Sequence, residues 1–171
     1  MQTVRGRGTI ELGDARLIIG CLEVVAMTMT RLDILDRSIE KAHIWINDLA
    51  DELGTEDRQH AYRVLRAYLH AVRDHLSVDE AAQLAAQLPV LVRGLFYEGW
   101  DPSGTPQRSR DLDSFLRRIA GEALLAGETE ASLAATAATR VLSRHVSSGE
   151  AENVLHMLPE HVRELLTSNR A

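Results

Sequence analysis

Cysteine is almost missing from this chain. Cys21 stands alone among 171 residues, so no disulfide can form within the chain, and that usage fits a reducing compartment. Aromatic residues make up only 4% of the sequence, and β-branched runs bounded by turn residues are scarce, which disfavours sandwiches and barrels. No apolar run approaches the roughly 20 residues that span a bilayer. Cys-x-x-Cys, His-Glu-x-x-His, Gly-x-Ser-x-Gly and a Gly-rich phosphate loop are all absent, so the common zinc, serine-hydrolase and nucleotide sites have no sequence support. An excess of positive charge is missing too. The formal charge is −6, which repels phosphate backbones and disfavours nucleic acid as a partner.

What is present points to helices. The chain is rich in Ala and Leu, and 26% of its residues are charged, a composition dominated by good helix formers. From Leu32 the apolar residues recur at Leu35, Ile39, Ala42, Ile46, Leu49 and Leu53, alternating three and four apart as one amphipathic helix does. Gly54 sits where a left-handed C-terminal cap is wanted. Thr55 is placed to cap a second helix, with Glu56 and Asp57 in its first turn. That helix is expected to bury Ala61, Leu65, Leu69, Val72 and Leu76. Ser77 to Glu80 forms a capping box opening a short third helix through Leu88. Pro89 stops it and starts a fourth, running to about Glu98. Residues 99–109 hold Pro102, Gly104 and Pro106 and read as a turn-rich connection.

The first 28 residues read as a flexible tail or as sequence upstream of the natural start, with Met27 or Met29 the natural beginning. Leu17 to Cys21 resembles a lipoprotein processing site, but Asp14 and Arg16 leave too short an apolar stretch for a signal segment. Arg5, Arg7 and Arg16 balance Glu11, Asp14 and Glu23, so removing the tail leaves the net charge unaltered.

After the connection the pattern begins again. At an offset of 70 residues His75 falls on His145, Ser77 on Ser147 and Glu80-Ala81 on Glu150-Ala151. Leu88-Pro89 falls on Leu158-Pro159, Val92-Arg93 on Val162-Arg163 and Leu95 on Leu165. Upstream, Trp45 falls on Phe115 and Leu49 on Ile119. The sequence therefore predicts an all-α bundle of two tandem long–long–short–short units, related by a pseudo-twofold axis. One unit spans about residues 30–98 and the other about 111–169, joined by residues 99–110. Ala134, Ala135, Ala137 and Ala138 mark the second unit's second helix for the centre of the packing.

Several residues invite functional readings. Arg63, Arg66, His70 and Arg73 recur at three–four spacing on the second helix, a basic row suited to an anion or a partner's acidic helix. The plainer reading is a solvated face neutralised by acids on neighbouring helices. Tyr97 and Trp100, beside Phe96, form the densest aromatic cluster, either a recognition surface or an anchor for the connection. Glu40-x-x-His43 has the spacing of di-iron bundles, with Asp57-x-x-His60 a poorer second half. It is a weak metal candidate. His75 and His145 are expected at helix C-termini, where an imidazole favours the negative end of the dipole.

Three stretches carry a family resemblance: HIWINDLADELG (His43 to Gly54), EDRQHAYRVLRAYLHAVRDHL (Glu56 to Leu76) and LPVLVRGLFYEGWDP (Leu88 to Pro102). Together they resemble the prokaryotic domain-of-unknown-function family numbered 2267, over about Leu32 to Leu166. The resemblance implies a small helical cytoplasmic protein and brings no catalytic residue with it. The reading favoured on the whole is a non-enzymatic module, self-associating or docking on a protein partner, without cofactor or membrane. The alternative is a small-ligand or metal-binding protein using a cavity between the two units.

Overall fold

A computed structural model describes residues 32–107 and 111–168. The readings made for residues 1–28, Cys21 among them, lie outside the described residues. Two units divide at Arg37: residues 1–37, whose described part enters the first turn of a helix, and the unit from Ser38 onward. Among the described residues there are eight α-helices and no strand. They are α1 (Asp33–Leu53), α2 (Arg58–Arg73), α3 (Val78–Gln87), α4 (Val90–Tyr97), α5 (Leu112–Ala123), α6 (Glu128–His145), α7 (Ser148–Met157) and α8 (Glu160–Thr167), with a 3-10 turn at Pro102–Gly104. None is long and apolar enough to cross a membrane.

The helix boundaries follow from local chemistry. Gly54 ends α1 at φ +63°, a backbone shape that only glycine adopts without strain. The cap of α2 differs from expectation: Thr55 bonds only the Asp57 amide, while Asp57 Oδ1 accepts from the Gln59 and His60 amides. Those two bonds, the one from His60 the stronger, hold the Asp57 carboxyl below its ordinary range. A carboxylate at the helix's positive end outdoes a threonine hydroxyl two residues upstream. Ser77 and Glu80 close a full capping box on α3. Ser147 closes only half of one on α7. Its hydroxyl accepts from the Glu150 amide, but its own N–H goes to Gln87 Oε1 at the end of α3. Leu88 and Leu158 are extended ahead of their prolines, as the steric clash with the proline ring requires.

Helices α2, α5 and α6 form the middle of the bundle. Helix α2 packs on α4, α5 and α6, and α6 also meets α7 and α8. Ala134, Ala135, Ala137 and Ala138 are all buried, so small side chains let α6 approach its neighbours closely. Ala61, Leu65, Leu69 and Val72, expected inward on α2, are buried, along with Val64, Ala67, Tyr68 and Ala71, and so is Leu76 just beyond the helix end. The apolar stripe of α1 behaves differently. Leu49 is fully buried, whereas Leu35 and Ile39 remain 46% and 37% exposed.

The same places recur in burial at the 70-residue offset. Trp45 and Phe115, Leu49 and Ile119, Ala61 and Ala131, Leu84 and Val154, Leu88 and Leu158, and Phe96 and Leu166 are all core residues. Leu124 takes φ +58° where Gly54 takes +63°. The Thr55 amide bonds the Ala50 carbonyl, and the Leu125 amide bonds that of Ala120.

Candidate functional site

The basic row of α2 is half-buried at Arg63 and Arg66 and turned away from solvent at His70 and Arg73. Arg73 is 3% exposed and His70 4% exposed; the expectation of a solvated face fails at both. The reason lies in what surrounds α2: it is enclosed by α4, α5 and α6, so its polar side chains must find partners within the protein.

Those partners are well defined. Arg73 donates through Nη1 to the carbonyl oxygens of Phe96 at 2.7 Å and Glu98 at 2.9 Å, and through Nε to Asp74 Oδ1 at 2.7 Å. Asp74 Oδ2 in turn meets Arg118 of α5 at 2.6 Å. His70 places Nε2 2.8 Å from the Leu95 carbonyl and Nδ1 3.0 Å from Glu122 Oε2. Arg66 pairs with Glu98 at 2.6 Å and lies 3.8 Å from Glu122. The hydrogen bond between Arg66 and Glu98 raises the guanidinium's hold on its proton and keeps the Glu98 carboxyl below its usual range. Arg63 makes a longer bond, 3.4 Å, to the Ala123 carbonyl at the end of α5. Thus three of the four residues converge on the end of α4, where the Leu95 carbonyl also accepts from the Glu98 amide.

Immediately beyond lies the aromatic cluster. Tyr97 stacks on Trp100 with centroids 5.3 Å apart and planes 22° apart, and Phe96 meets Tyr97 edge-on. Phe96 is fully buried, while Tyr97 and Trp100 are part buried against the core. The Trp100 Nε1–H is enclosed without an acceptor, although a buried indole ordinarily finds one. Asp101 then caps the 3-10 turn, accepting from the Ser103 hydroxyl and amide. The hydroxyl bond foremost keeps its carboxyl below the ordinary range.

The remaining candidates scatter. Glu40 and His43 are exposed on α1, and Asp57 is occupied as a cap. Among the described residues no group of three or more His, Cys, Asp or Glu could hold a metal ion. His75 does serve its own helix, donating from Nδ1 to the Ala71 carbonyl at 2.7 Å and meeting Phe115 edge-on. His145 instead stacks on Trp45 at 4.7 Å and meets Asp48 Oδ2 at 2.6 Å. A concave feature lies between α3 and α7: a cleft of about 320 Å³ whose polar lining is Glu80, Gln83, Glu150 and Asn153.

The residues not foreseen are the acceptors Glu122, Glu98 and Asp74 and the donor Arg118. A signal for one of them existed. Glu52 and Glu122 share a position at the 70-residue offset, as do Arg140 and His70. The contacts follow suit: Arg140 meets Glu52 at 3.2 Å where His70 meets Glu122. Arg144 also pairs with Glu52. A family model described as an uncharacterized conserved protein family, DUF2267, matches residues 42–165. No curated protein matches the chain.

Proposed function

The chain belongs to the DUF2267 family, and we propose that it is a non-enzymatic interaction module that presents the Tyr97–Trp100 connection to a protein partner. One observation carries this reading: a buried charged network is devoted to fixing that connection, with Arg73, 3% exposed, holding the carbonyls of Phe96 and Glu98. Buried ion pairs add little net stability over well-packed apolar residues, and their best use is to fix one arrangement. The arrangement fixed here displays a Tyr–Trp stack. Sedimentation and pull-down from the native host test the reading. Trp100→Phe shrinks the ring presented beside Tyr97, so it should weaken association about tenfold. Equal association by both proteins would overturn the reading.

The scaffold we propose is a duplicated four-helix unit, α1–α4 and α5–α8, with the halves related by a pseudo-twofold axis. Its support is the shared burial at the 70-residue offset and the reciprocity of contacts between halves. Trp45 of one meets His145 of the other, and Phe115 meets His75. The cleft between α3 and α7 supports a second reading, a small ligand held between the halves, because about 320 Å³ lies in the range of ligand sites. Native mass spectrometry of protein from its own host separates the two, by a bound small molecule or a bound protein.

A further inference from the structure

We infer that His70 is a proton-operated latch on the connection that carries Tyr97 and Trp100. Both of its ring nitrogens face acceptors: the Leu95 carbonyl at 2.8 Å and Glu122 Oε2 at 3.0 Å. A carbonyl and an ionised carboxylate cannot donate, and a neutral imidazole carries one N–H only. The geometry therefore matches the imidazolium, which donates to both. The ring is 4% exposed, so water cannot stand in for a missing proton.

The charges around the ring balance. Arg66 and Arg73 flank it on α2, with Asp74 just beyond; Glu122 of α5 meets the ring itself, Glu98 at the end of α4 pairs with Arg66 and acts on the ring through space, and Arg118 of α5 pairs with Asp74 and Glu122. Three cations offset three anions, leaving the two direct acceptors to decide the ring's state. At the offset of 70 the same contact is made by Arg140 to Glu52, with a charge that is permanent. His70 is the version of that contact whose charge is not permanent.

Loss of one proton sets a ring lone pair against an oxygen lone pair; the carboxylate of Glu122 is the stronger acceptor and keeps the remaining N–H, so the Leu95 carbonyl is released. The latch is closed while the ring holds both protons and opens as pH rises, because the closed form binds one proton more. Arg73 still holds Phe96 and Glu98 and the Leu95 carbonyl keeps the Glu98 amide, so the connection loosens locally without the fold opening.

Ring ¹⁵N spectra of the full chain test this directly. Below the transition both His70 nitrogens should be protonated. Over the pH interval in which one loses its proton, the amides from Leu95 to Trp100 should exchange about tenfold faster and the Trp100 indole signal should move. His70→Gln should abolish that pH response. A bare ring nitrogen under acidic conditions with the connection still closed would place the proton on Glu122 and overturn the latch. So would a pH response that persists in His70→Gln. If the variant fails to fold, the wild-type ring spectrum decides alone. A Trp100→Phe result that defeats the partner reading leaves this spectrum unaffected.

Discussion

Arg73 shows at the scale of one residue how a surface motif becomes an internal one. Removing its side chain leaves Asp74, 6% exposed, with Arg118 as its one remaining cation and frees the carbonyls of Phe96 and Glu98. Breaking a buried pair by removing one partner costs about 3–5 kcal/mol. Arg73→Ala should therefore lose stability on that order in urea unfolding, whereas a solvated arginine would lose no more than about 0.5 kcal/mol. Tyr68 gives a second prediction. Full burial, eased only partly by the hydrogen bond with Thr139, pushes its phenol up to about 12. The folded chain thus keeps a proton that the unfolded chain releases from about pH 10. Stability should fall as pH rises from about 10 towards 12, and Tyr68→Phe should flatten that fall in chemical denaturation at alkaline pH. The spacing of the basic row was legible in the sequence; its surroundings were not. Periodicity placed Ala61, Leu65, Leu69 and Val72 inward, but α2 is buried over more of its girth than that stripe covers. The acceptors that make this possible lie on α4 and α5, far along the chain.

At the scale of the element, caps and prolines were the most legible features because their chemistry is local. Gly54, the Ser77–Glu80 box and the Leu-Pro breaks act within four residues of themselves. Thr55 and the second box departed from expectation for reasons also local: a carboxylate nearer the helix start, and a glutamine from α3 that reaches the Ser147 amide first. The two boxes should therefore respond differently. Glu80→Ala should cost roughly 0.5–1.5 kcal/mol, and Glu150→Ala less than about 0.5 kcal/mol, by urea unfolding. Leu124 supplies the opposite sign. It ends α5 at φ +58° and is 79% exposed, so its side chain gains little burial while its backbone is strained. Left-handed geometry costs a non-glycine residue roughly 1–2 kcal/mol, partly offset by the entropy a glycine loses on folding. Leu124→Gly should raise stability by about 0.5–1 kcal/mol, seen as a higher melting temperature.

At the scale of the molecule, the all-α class followed from composition and spacing, and which helix sits in the middle was foreshadowed by the alanines of α6. What each half offers the other was not legible, because a ring stacked across halves leaves no periodic trace in either. Trp45 with His145 and Phe115 with His75, Glu52 with Arg140 and Glu122 with His70, form two sets of matching pairs. They tie the proposed copies together and hold the aromatic connection between them. The direct test is native mass spectrometry of the full chain bearing a protease site between Gly104 and Thr105, recorded after cutting. The reciprocal arrangement predicts one species at the summed mass of both fragments. Two species, each at a fragment's own mass, would contradict it.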